Sequence, residues 1–192
     1  MGNFYANLSV ATADKTLVQS SLSQVASDHG FIGPSEGDWT TITSDAIDAQ
    51  NQDDIDAYGK TLSDVLNAAV VSVMNHDDDV LSVALYRAHN RIAEYNSCPG
   101  YFAEMPSKAA LQPAVRNVSE FVELASGVAE EDIVKLITEP SPIAFETHKA
   151  LVQMFRLPRY STGFGYRYVC MGEFSFLGEN LTEFGQGSDK KI

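Results

Sequence analysis

The densest group of side chains able to do chemistry is His76-Asp77-Asp78-Asp79, an imidazole followed by three carboxylates. Nitrogen and oxygen donors of this kind can hold a divalent cation. Their spacing argues against it, because an EF-hand spreads its ligands over about 12 residues with a Gly and a closing Glu. Adjacent side chains on a tight turn diverge, so the expectation is an acidic turn whose Asp groups bond the backbone, with no metal and no cofactor. Cys98, in Asn96-Ser97-Cys98-Pro99-Gly100-Tyr101-Phe102, is a nucleophile only if a histidine and an orienting group fold beside it. His76, His89 and His148 are the candidates, and a small residue filling a turn is the plainer reading. The third group, Arg159 to Tyr168, is rich in Gly, Tyr and Arg, a composition suited to stacking on a base or a peptide. Gly163-Phe164-Gly165 is not G-x-G-x-x-G and no GK[ST] follows, so a phosphate loop is rejected.

The residues retained as ligand-binding candidates are His76, Asp77, Asp79, Tyr101, Arg159, Tyr166 and Arg167, which form one cleft only if distant segments converge. His148 falls on the apolar side of a helical pattern between Phe145 and Val152 and reads as a satisfied, partly buried histidine. G-x-S-x-G, H-E-x-x-H and kinase signatures do not occur.

Periodicity indicates how these groups are positioned. Phe4, Ala6, Leu8 and Val10 alternate with polar residues, a strand with one buried face. Asp14 stands as an N-cap before Val18, Leu22 and Val25, a helix that Asp28-His29-Gly30 should end. A hairpin is expected over residues 31–45, with Gly33 to Asp38 as the turn. Ile55, Tyr58, Leu62, Val65 and Leu66 give the strongest helical stripe. Val70–Met74, Val80–Tyr86 and Arg91–Tyr95 are predicted strands, the first two joined by the Asp-rich turn. The order β-α-β-β-α-β followed by two strands predicts an α+β fold with a ferredoxin-like split βαβ core, an extended antiparallel sheet and a C-terminal helical segment.

Beyond Pro99-Gly100 the pattern becomes helical. Val115, Val118, Val122 and Ala125 share one predicted face, Glu130-Glu131-Asp132 opens a second helix, and a third carries Phe145, His148, Val152 and Phe155. Residues 1–177 are expected to form one domain: a sheet-rich half over 1–98, a helical half over 106–158 and a returning strand over 159–177. Residues 178–192 read as a flexible tail.

Asn75-His76-Asp77-Asp78-Asp79-Val80-Leu81, Glu94-Tyr95-Asn96-Ser97-Cys98-Pro99-Gly100-Tyr101-Phe102 and Leu157 through Tyr168 together resemble a family of uncharacterised bacterial proteins. That family combines an Asp-rich hairpin, a Tyr-x-Ser-x-Pro-Gly-Tyr-Phe turn and a late Gly-x-Gly-Tyr segment. The resemblance implies one continuous bacterial domain and assigns no catalytic residue.

Composition bounds the function. Twenty-six acidic against thirteen basic residues give a formal charge of −13. Such a field repels phosphate backbones and anionic lipid, so neither nucleic acid nor membrane is an expected partner. Two cysteines without a C-x-x-C pair, and no apolar run of spanning length, predict a cytoplasmic protein. The expectation is a non-catalytic binding or regulatory module for a protein partner. The alternatives are a small enzyme or ligand-binding protein with a cleft between sheet and helices, and a homodimeric structural protein.

Overall fold

The computed structural model describes residues 2–25, 28–125 and 127–185. Strand β1 (Phe4–Val10) runs through the middle of the sheet, and its alternation places Ala6, Leu8 and Val10 on one face and Tyr5, Asn7 and Ser9 on the other. Both faces are buried, which differs from the expected strand with one wet side. The polar residues are covered by a second layer, and several of their polar atoms find partners there or on the neighbouring strand, although the Asn7 Oδ1 has none among the described residues. Asn7 Nδ2 donates to the carbonyls of Ser161 and Phe164, both at 2.8 Å, and Ser9 Oγ pairs with Thr41 Oγ1 at 2.8 Å.

The chain continues through α1 (Lys15–Val25), β2 (Gly30–Ile32), β3 (Thr40–Ser44), α2 (Asp45–Asp48), α3 (Gln52–Val65), β4 (Val70–His76), β5 (Val80–Arg87) and β6 (Asn90–Asn96). It ends with β7 (Ala114–Arg116), α4 (Val118–Leu124), α5 (Glu130–Thr138), α6 (Ala144–Phe155), α7 (Tyr166–Cys170) and β8 (Thr182–Phe184). Local chemistry sets several starts. Asp14 Oδ1 accepts the Leu17 N–H, Ser44 Oγ accepts the Ile47 N–H, and Asn51 Oδ1 accepts the Asp53 N–H. Helix α1 is described to Val25, residues 26 and 27 lie outside the described residues, and at the expected stop Asp28-His29-Gly30 the chain is no longer helical, Gly30 itself opening β2.

The eight strands form one antiparallel sheet in the order β7-β6-β5-β4-β1-β3-β2-β8, so the protein is α+β. Helices α1 and α3 cover one face, where Val18, Leu22, Ile55 and Leu62 pack on Leu8, Ile42, Val70 and Met74. Val65, counted into the α3 stripe from its spacing, is instead exposed. Helices α4, α5 and α6 cover the other face through Phe121, Ile133, Ile137, Leu151 and Phe155, against Val71, Val73, Val83 and Leu85.

Three expectations for the C-terminal half are corrected. Val115 is not on a helix: Ala114–Arg116 pairs with β6, and Asn117 turns in the left-handed region (φ 56°) before α4 can begin. Residues 159–177 are not a returning strand but short helical pieces, namely a 3-10 turn at Arg159–Ser161, α7, and the start of a second turn at Ser175–Asn180. Gly163 (φ 88°) and Gly172 (φ 81°) turn the chain too often for a strand to persist. The aromatic residues serve packing instead, with Tyr160, Phe164, Phe174 and Leu177 clustering on Phe31. The predicted tail is structured in part, since Thr182–Phe184 pairs with β2 and Phe184 is buried over Gly30. The remainder of that tail, 186–192, lies outside the described residues.

Candidate functional site

The Asp-rich turn joins β4 to β5 through Asp77 and Asp78, whose φ values of 53° and 63° give the doubly left-handed geometry of a type I′ hairpin turn. Asp and Asn adopt that region more readily than most residues, which accounts for the composition of the turn. Its carboxylates have separate tasks. Asp78 accepts the Asn3 backbone N–H (3.0 Å), the Asn3 side-chain amide (2.9 Å) and the Asn75 amide (3.0 Å), and its own carbonyl receives the Ala144 N–H at the head of α6 (2.8 Å). Asp77 takes the Gly2 N–H at 2.9 Å, and Asp79 accepts the Tyr101 hydroxyl at 2.8 Å. That bond to a carboxylate raises the Tyr101 pKa. Among the described residues, no three of His, Cys, Asp and Glu gather closely enough to hold a metal ion.

His76 sits beside this turn among aromatic rings: Phe4 at 4.8 Å, Phe102 at 4.9 Å and Tyr101 at 5.8 Å between centroids. Gln50 fixes its tautomer. The Gln50 amide nitrogen donates to the Asn75 and Tyr5 carbonyls, so its oxygen must accept, and His76 Nδ1 at 2.8 Å is the donor. Residues 97–113 carry Tyr101 and Phe102 and close on themselves, with the Gly100 N–H donating to the Ala110 carbonyl at 2.7 Å. A Cβ on Gly100 would meet Ala110 and Pro106 at 2.8–3.0 Å, so only glycine lets this loop shut. The closed loop leaves its own apolar side chains outside: Met105 is 92% exposed and Phe102 66%, with Leu111 and, on edge strand β7, Val115 also exposed. Asp77, Asp79 and Glu104 are exposed at the same end of the sheet or in the same loop.

The seven candidates therefore divide. His76, Asp77, Asp79 and Tyr101 come together, and Arg167 approaches from α7 with its guanidinium 5.2 Å from the Phe4 ring centroid. Arg167 is also held by Asp48, whose carboxylate accepts the Arg167 N–H (3.3 Å) and lies 3.9 Å from Nε. Burial raises the Asp48 pKa against these stabilising contacts. Tyr166 points elsewhere, to His29 Nδ1 at 3.1 Å and the Phe31 ring, and Arg159 lines a groove along α6. Cys98 is half-buried with no histidine bonded to it among the described residues.

His148 is fully buried rather than partly so. Its Nδ1 lies 2.6 Å from the Tyr5 hydroxyl, while Nε2 has no partner among the described residues. Burial lowers its pKa to about 3 and raises that of Tyr5, so a neutral imidazole accepts from a protonated phenol. Sequence reasoning missed Phe4, Gln50 and the Met105 loop face. Phe4 and Gln50 reach the cluster only through long-range pairing. The Met105 face was signalled by the density of exposed-type turn residues around Phe102 and Met105. Searches of protein-family models, curated proteins and solved structures found no match to this chain.

Proposed function

We propose that this protein is a non-catalytic binding module that takes up a basic protein partner on the 97–113 loop and the adjoining β7 edge. The observation that carries this reading is the exposure of Phe102, Met105 and Leu111 on a loop held shut by its own backbone bonds. A closed loop presents these side chains at small ordering cost, and clustered exposed apolar residues mark interaction surfaces. Among the described residues, edge strand β7 has one unpaired side, which offers backbone donors and acceptors to an added strand. The carboxylates of Asp77, Asp79 and Glu104 and the net charge of −13 favour a positively charged partner over nucleic acid. The hairpin cluster supports binding better than catalysis, because each of its polar groups is engaged in holding a neighbour. The supporting scaffold reads as a ferredoxin-like split βαβ core: β4-β1-β3-β2 is its strand order, α1 and α3 share one face, and β5–β7 and β8 extend the two edges.

Affinity purification of the native chain beside a Phe102→Glu, Met105→Glu double variant tests the proposal. A stoichiometric basic partner retained by the first and lost at least tenfold by the second is expected. Equal retention by both, or no partner with either, overturns it. Light scattering separates the homodimer alternative, which requires twice the 20.9 kDa chain mass in the native protein.

A further inference from the structure

Two adjoining cavities open along α6 and share Val152, Gln153 and Arg159. The larger, about 550 Å³, lies against Phe145, Lys149 and Thr162. The smaller, about 350 Å³, lies against Glu36, Arg156 and Leu157. These volumes suit a small organic molecule. Three of the thirteen basic residues of the chain line this groove.

Their pairing is unusual for so acidic a protein. Arg87, Arg91, Arg116 and Arg167 all meet carboxylates, whereas among the described residues Arg156 and Arg159 meet none within ion-pair distance. Lys149 faces Glu146 at 3.8 Å, an exposed pair of little worth. Glu36, the carboxylate of the groove, is committed to the Arg159 backbone N–H at 2.8 Å rather than to its guanidinium. Thr162 Oγ1 is shielded from solvent and has no hydrogen-bond partner among the described residues.

Arg156 adds a conformational argument. It closes α6 in the left-handed region (φ 55°, ψ 34°), where glycine is the unstrained choice. An arginine there accepts backbone strain without gaining a carboxylate in return. Its planar fork, with no carboxylate bound among the described residues, is free for bidentate bonding.

We propose that this groove binds an amphipathic organic anion, its carboxylate or phosphate engaged by Arg156 and Arg159 and its apolar body lying on Phe145, Val152 and Leu157. Lys149 adds charge at the open side, and Thr162 Oγ1 supplies a further hydrogen bond. The anion-engaging end of the site is separate from the partner surface: α6 starts beside the Asp-rich turn, and Arg156 stands at its other end, roughly 18 Å away at about 1.5 Å rise per residue.

Calorimetric titration of the purified chain with octanoate, octyl phosphate and octanol tests this site without any protein partner. Saturable one-to-one binding of at least one anion is expected, with octanol at least tenfold weaker. Whichever anion binds more tightly identifies the head group. Arg156→Gly, which relieves the left-handed strain and so should fold as well as the native chain, is expected to weaken binding tenfold or more. Arg159→Gln, which keeps the backbone bond to Glu36, should do the same. No saturable heat with either anion, equal affinity for octanol, or unchanged affinity in both variants overturns the proposal.

Discussion

Three neighbouring carboxylates in one turn differ sharply in what they hold. Asp78 satisfies donors on Asn3 and Asn75, so Asp78→Ala leaves several part-buried donors unpaired and should cost about 2–3 kcal/mol. Asp77 is exposed and takes a single N–H, so Asp77→Asn, which keeps a residue suited to the left-handed turn, should stay within about 0.5 kcal/mol. Urea denaturation of the two variants checks both, and equal losses would contradict the assignment. His148 gives a prediction in pH. Its folded pKa is about 3, below the ordinary value of 6.5, so between these values the unfolded chain binds a proton that the folded chain does not. Its contribution is complete above pH 6.5 and is lost as pH falls, at up to about 1.4 kcal/mol per pH unit. Asp48, with its folded pKa raised, acts in the opposite sense and stabilises as it becomes protonated. The difference in stability between the native chain and His148→Gln, measured from pH 7 to 4, should shrink as pH falls; a constant difference would contradict burial of a neutral imidazole.

At the scale of elements, a glycine fixes the close approach of a helix to the sheet. Gly59, on α3, lies so near the Tyr86 ring that a Cβ would meet its atoms at 2.5–2.7 Å. Alanine gains about 1 kcal/mol of helix propensity there but forces the ring to move, and overpacking of this kind costs roughly 1–3 kcal/mol. Gly59→Ala should therefore lower the thermal midpoint although alanine is the better helix former, and a raised midpoint would show that Tyr86 yields freely. The elements legible in the sequence were those whose signal is local. The alternation of β1, the stripe of α3 and the Asp-rich turn all lie within a few residues. What the sequence left hidden depended on contacts far along the chain. Asn7 reads as solvent-facing until Ser161 and Phe164 are known to cover it, and the aromatic residues of 159–177 suggest strand until Gly163 and Gly172 are seen turning the chain. The site was legible in the same measure. His76, Asp79 and Tyr101 meet through adjacent hairpins. Arg159 diverges because the turn at Gly163 (φ 88°) separates it from α7, and Tyr166 diverges from Arg167 because successive side chains on a helix point about 100° apart.

For the whole molecule, the proposed docking of a basic partner draws together a charge of −13 and an apolar loop at one end of the sheet. On that proposal charge steers the partner and the loop anchors it, so association should slow severalfold between about 50 and 300 mM salt while dissociation changes less. No helix among the described residues is long and apolar enough to cross a membrane. Site-specific photo-crosslinking in living cells tests the docking surface most directly, with the reactive group placed at Met105 and, as control, at Leu17, which is exposed on α1 across the sheet. A discrete adduct of defined mass from position 105 and none from position 17 is the expected result. Equal diffuse labelling from both positions, or no adduct from position 105, would contradict a partner seated on the 97–113 loop.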